Sequence, residues 1–154
     1  NQFVRLELLC TFEWSYDAEG RVSGGYVLLQ PFGGDDGAAY GEGRGTVTGD
    51  RLAGTCIWSN HPRRRGDGRM LPDVHGLIVT DDGAEVLFTM SGITVFDNGG
   101  RGCQNLSGTF TAEDERYAWL NDLVCVAEGV IVPTQNTIDV RVYAAINELV
   151  ERLP

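Results

Sequence analysis

Apolar and polar residues alternate with a period of two through most of the chain, the pattern of strands with one buried face. Leu6, Leu8, Cys10, Phe12 and Trp14 alternate with Arg5, Glu7, Thr11 and Glu13, and only Leu9 breaks the series. This predicts a first strand, followed by a turn region over Asp17–Gly25. Tyr26–Phe32 reads as a second strand, ended by the cluster Gly33-Gly34-Asp35-Asp36-Gly37. Ala39–Thr48 is a third, with Gly41, Gly43 and Gly45 at every second place and so on one face. Glycines at that spacing permit sharp curvature or the close approach of another backbone, as at a barrel corner. Arg51–Trp58 is a fourth strand, and the basic stretch Asn60–Arg69 reads as a loop. Asp73–Thr80, Glu85–Val95 and Cys103–Thr111 follow as strands, and Leu123–Val132 and Thr137–Ala145 close the series. One helical turn is expected over Ala112–Asn121, where Glu113, Asp114 and Glu115 suit a helix start. A short helix is expected over Ile146–Leu153.

About nine short strands in 154 residues, with no repeat or linker, predict a single all-β domain over residues 1–154. The architecture expected is an antiparallel barrel of about 8–9 strands with one short helix, because closure removes the exposed edges of so large a sheet. A barrel of about eight strands has an interior just wide enough for packed side chains or one small ligand. That choice carries the functional question.

Composition narrows the partners. Acidic residues outnumber basic ones 22 to 12, for a formal net charge of -10. Such a surface repels phosphate backbones and anionic membranes, so neither nucleic acid nor membrane is an expected partner. Every basic residue is arginine, which excludes a lysine Schiff base and a lysine-bearing phosphate loop. No run approaches the ~20 apolar residues of a membrane helix. Asn1–Arg5 shows no signal-peptide pattern, so a cytoplasmic location is expected, although the chain begins without Met and a removed leader stays open. Cys10, Cys56, Cys103 and Cys125 are widely spaced with no Cys-x-x-Cys pair to hold zinc. They read as four buried free thiols, with one or two disulfides as the alternative.

Four groups of side chains could carry chemistry. Asp73 and His75 share one strand face about 7 Å apart at Cβ. If that face is interior, the carboxylate can orient the imidazole as a proton donor or acceptor; the alternatives are a solvent-exposed face, or an Asp73 that simply caps a turn after Pro72. Glu42 and Arg44 lie between the three glycines on the opposite face. Inside a barrel Glu42 would serve as acid or base and Arg44 would hold a carbonyl or anion; outside, they are an ion pair. Trp58 and Asn60 stand at a strand end, where an indole can stack on a flat substrate and an amide can bond its carbonyl; for Trp58, core packing competes. Tyr117, Trp119 and Asn121 lie in the predicted helical turn. There Trp119 and Leu120 suit a plug at one barrel end, while the Tyr117 hydroxyl could donate to an enolate-like oxygen. His61 and His75 with scattered carboxylates allow a metal site without requiring one, and neither metal nor cofactor is expected.

Asp82-Gly83-Ala84, the apolar strand after it, and Arg116-Tyr117-Ala118-Trp119-Leu120-Asn121 resemble the bacterial domain-of-unknown-function family 3237, small calycin-like β-barrel proteins. Tyr117–Asn121 matches a Tyr-Ala-Trp-Leu-Asn motif of that family. Gly49–Trp58 matches its glycine-rich strand leading to a tryptophan, and Asp73 matches an aspartate ahead of the Asp-Asp-Gly-Ala turn. The resemblance covers about Leu6 to Tyr143. It departs at Ile57, where members often carry aspartate, and at His75, where they often carry arginine. It implies a calycin-like barrel with a pocket and no agreed reaction. The absence of nucleophile and phosphate-binding motifs then favours a cofactor-independent enzyme acting on a small hydrophobic, cyclic or polyketide-like molecule of secondary metabolism. Isomerisation, cyclisation, dehydration or a lyase step fit. The alternatives are a non-catalytic binder of such a ligand and an accessory subunit with a filled barrel. A homodimer is the statistical default.

Overall fold

A computed structural model of the chain describes residues 3–150. The strands are β1 (Arg5–Tyr16), β2 (Tyr26–Leu29), β3 (Gly37–Thr48), β4 (Gly54–Asn60), β5 (Arg63–Arg64), β6 (Met70–Leu71), β7 (Asp73–Thr80), β8 (Glu85–Phe96), β9 (Gly102–Ala112), β10 (Cys125–Val132) and β11 (Thr137–Ile146). All pairings are antiparallel, and β1 pairs with both β11 and β3, which shuts the sheet into a ring. The eight-stranded barrel runs β1-β11-β10-β9-β8-β7-β4-β3 and back to β1. β2 is an extra ribbon on β3.

The expected basic loop is largely a hairpin. β4 and β5 keep one register against β3, from Gly41↔Asn60 to Ala38↔Arg63. β7 and β6 likewise keep one register against β8, from Asp73↔Ser91 to Met70↔Thr94. Each pair is therefore one long strand with a break, at Pro62 and at Pro72. A proline has no N–H to give the ladder, and the two breaks lie across from one another. Counted this way the segments make about nine strands, as the alternation predicts.

The alternation also sets which side chains point inward, with one correction. Leu6 and Leu8 are exposed, although they share the alternation of Cys10, Phe12 and Trp14. The register of β1 against β11 shifts between Leu8 and Cys10, where Leu9 is the extra residue. A one-residue bulge turns the preceding side chains to the other face. Past it, Cys10, Phe12 and Trp14 enter the core.

Aromatic rings fill the middle of the barrel. Trp14 packs on Phe12, Trp58 and Phe88 with centroids 4.9, 5.4 and 5.9 Å apart. The inward glycines make room for them. A Cβ on Gly43 would lie 2.7 Å from Trp58 Cε2, and one on Gly76 would lie 2.9 Å from Phe88 Cε2. One barrel end is closed by a 3₁₀ helix over Glu115–Asp122, close to the predicted turn. Asp114 caps it, accepting from the Arg116 N–H, and Leu120 is fully buried beneath it. Of the expected terminal helix, Ile146 belongs to β11, and positions from 151 onward lie outside the described residues. Cys10, Cys56 and Cys125 are buried free thiols as expected; Cys103 corrects that expectation, since it is free but exposed on the outer face of β9. Burial raises the Cys10 thiol to about 12 and the Cys56 and Cys125 thiols to about 11, so all three stay protonated near neutrality.

Candidate functional site at the barrel mouth

The end away from the 3₁₀ helix is open. It is rimmed by the β1–β2 connection, the β5–β6 hairpin and the β8–β9 and β10–β11 turns. Above the aromatic layer lies a cavity of about 400 Å³. Tyr16 forms its floor, its ring edge-on to Trp58 at 5.4 Å and to Tyr26 at 5.8 Å. Met70, Pro72, Phe96 and Ile131 supply apolar wall. The volume sits inside the range of small-molecule sites and is more than twice that of a cavity known to take benzene, so a two-ring compound fits.

The polar groups in this lining are few. Gln104 and Thr94 are buried at 6% and 2% exposure. The Gln104 amide donates from Nε2 to Thr94 Oγ1 at 3.1 Å, while Gln104 Oε1 is buried without any hydrogen-bond partner among the described residues. Buried carbonyls are nearly always paired, so this oxygen is an unsatisfied acceptor in the wall of an apolar chamber. Asn136 is spent on structure: in the left-handed region at φ 51°, it bonds both the N–H and the C=O of Tyr16 and fixes that strand end. Asn60 lines the cavity, but its Oδ1 accepts from the Asp73 N–H at 2.9 Å. Among the described residues, the ionisable side chains in the lining are Tyr16 and Tyr26. Burial, reinforced by Tyr26, raises the Tyr16 phenol to about 12, so it is a permanent hydrogen-bond donor near neutrality. Burial also raises Tyr26, opposed by Arg64.

Most of the residues singled out in the sequence lie elsewhere. Asp73 and His75 are on the outer wall, with His75 Nε2 3.0 Å from Asp73 Oδ1 and side chains 56% and 52% exposed. Glu42 and Arg44 are also outside, because the inward places of β3 belong to the glycines. The Tyr40 hydroxyl donates to Glu42 at 3.0 Å, and Arg44 pairs with Asp17 rather than with Glu42. Trp58 is core, beneath Tyr16. Tyr117, Trp119 and Asn121 belong to the closed end. The Tyr117 hydroxyl donates to Asp82 at 2.7 Å, Asn121 bonds the Ala112 backbone in both directions, and Trp119 lies half-exposed under the Arg51 guanidinium. Asn60 alone of the predicted set lines the mouth cavity. Sequence reasoning missed Tyr16, Thr94 and Gln104. The signal was present in β9, where Gln104 is the one polar side chain in the inward row Gln104, Leu106, Phe110 and Ala112.

Solved structures with this fold are distant in sequence. A beta-barrel like protein from Acinetobacter baumannii aligns with a TM-score of 0.79 at 17% identity, covering 94% of this chain and 98% of its own. A protein of unknown function from Clostridium acetobutylicum gives 0.79 at 16%, over 93% and 99%. A structure described as an enzyme from Penicillium herquei gives 0.70 at 21%, over 94% and 96%. No functionally curated protein matches the sequence. The profile of the family described as "Protein of unknown function (DUF3237)" matches residues 42–145, two-thirds of the chain, and the chain belongs to that family.

Proposed function

We propose that the mouth cavity binds a small, mostly apolar ring compound that carries at least one hydrogen-bond donor such as a hydroxyl. The unpartnered Oε1 of Gln104 carries this reading. A hydroxyl placed there would satisfy a buried acceptor, and the surrounding apolar wall would supply the rest of the affinity. The experiment compares a naphthol with naphthalene by thermal shift and by quenching of tryptophan emission. The naphthol should raise Tm with mass-action dependence on its concentration, and naphthalene should bind at least several-fold more weakly. A paired Gln104→Leu/Thr94→Val variant removes both polar partners at once, so its stability should be unchanged or slightly higher. It should lose the preference for the naphthol. No response to any hydroxylated ring compound, or an unchanged preference in the double variant, would sink the proposal.

The Tyr16 phenol favours a second reading, in which the bound compound is also transformed. A donor that stays protonated can polarise a carbonyl or steady an enolate-like oxygen without a cofactor. Isomerisation, cyclisation, dehydration or a lyase step would fit such a site, and one structural neighbour is described as an enzyme. Tyr16→Phe should then lower kcat by tenfold or more while leaving ligand affinity within a few-fold. Equal turnover in Tyr16→Phe would leave binding as the function.

A further inference from the structure

On the outer face of the wall whose inner side lines the mouth cavity, three metal-ligating side chains converge. We infer that His61, Asp73 and His75 form a binding site for a borderline divalent transition metal, with Zn²⁺ the representative ion. Their ligand atoms all lie within 4.8 Å of one another, and the His75 Nε2 to Asp73 Oδ1 edge is 3.0 Å. Small rotations of exposed side chains bring such a triangle onto one ion at bonds of about 2.0–2.2 Å.

The strand register builds the triangle. Asp73 and His75 are two apart on β7 and share its outward face. His61 follows the last residue of β4, and its N–H donates to the Asp73 carbonyl at 3.0 Å, which sets it beside Asp73. The rings are held as well. Tyr40 stacks on His61 with centroids 5.5 Å apart and planes 17° from parallel, and His61 stacks on His75 at 5.7 Å and 25°. Asn60 pins the Asp73 backbone. A site on packed strands with oriented ligands is what metal capture requires.

The donor set decides the class of ion. Two imidazoles and one carboxylate suit zinc, nickel or copper, whereas calcium and magnesium want oxygen alone. Three protein ligands leave at least one coordination position open. His75 also lines an outer groove of about 500 Å³ that includes Tyr40, Glu42, Ser59 and Arg44. Through His75 the site adjoins a groove with both a carboxylate and a guanidinium in its wall, from which water or a small anion could complete the shell. This site shares no ligand with the mouth cavity and stands whether or not that cavity binds ring compounds.

The test is a calorimetric titration of chelator-stripped protein with Zn²⁺. One ion per chain is expected, at micromolar affinity or tighter. His61→Ala and His75→Ala should each weaken binding by about tenfold or more, and Asp73→Asn should weaken it too. All three side chains are exposed, so the metal-free variants should keep the parent Tm. Co²⁺ should give visible ligand-field bands without a thiolate charge-transfer band, and Cys103→Ser should leave the affinity unchanged. Absence of saturable binding would overturn the inference. So would an affinity unchanged from the parent in both histidine variants, or loss of binding in Cys103→Ser.

Discussion

Gly43 shows how a single missing side chain organises this barrel. Trp58 Cε2 occupies the space its Cβ would need, and the Ser15 carbonyl approaches from the neighbouring strand. Gly43→Ala must push an indole out of a layer already filled by Phe12, Trp14 and Phe88. Overpacking of that kind costs about 1–3 kcal/mol. Denaturant unfolding should report a loss in this range with the m-value unchanged. The same residue explains why the sequence was legible only up to a point. Alternation identifies which residues share a face, but not which face is inside. By alternation Glu42 and Arg44 fit interior chemistry or an outer ion pair equally, and it is the glycines around them that point inward. On β7 the parity was readable from Val74 and Ile78, whose burial turns Asp73 and His75 outward. Gln104 was readable too, as a polar residue in an apolar row, but it belongs to no motif.

At the scale of the element, the 3₁₀ helix acts as a stopper held by polar ties. Asn121 bonds both the N–H and the C=O of Ala112 at 2.8 Å, and Ala112 is 7% exposed. Asn121→Ala would strand both backbone groups, so a loss of about 1–3 kcal/mol is expected by chemical denaturation. A neighbouring tie is ionic and depends on pH. The Arg116 side chain, followed by its N–H, holds the Asp114 carboxyl down to about 2. Thr80 and then Tyr117 hold Asp82 below its ordinary value, assisted by Arg116. A carboxyl depressed in the folded state adds stability above its unfolded value of about 4, and that contribution fades as pH falls through the folded value. Thermal unfolding followed from about pH 5 to pH 2 should therefore show a fall in Tm, and Asp114→Asn should flatten it. The Tyr117–Asn121 motif was legible as a plug. Its tyrosine hydroxyl is engaged by Asp82 at the far end of the barrel from the cavity.

At the scale of the molecule, an aromatic layer separates the two ends. Below it the barrel is sealed by Leu120; above it the same eight strands enclose a chamber. The two prolines that interrupt the wall have a consequence for its motion. Above Pro62 and Pro72, the hairpin over Arg63–Leu71 is registered to the rest of the sheet through Gly37↔Arg64, Ala38↔Arg63 and Met70↔Thr94. Below them, β4 and β7 are zipped along nearly their full length on both sides. Amide deuterium uptake should therefore split at the prolines. Residues 63–71 should exchange by local opening, and residues 54–60 and 73–80 should wait for global unfolding. Uniform protection across both segments would show that the ladder transmits rigidity past its missing donors. Split uptake would make this hairpin a sash window in an otherwise fixed wall, with Met70 on its inner pane facing whatever enters the chamber.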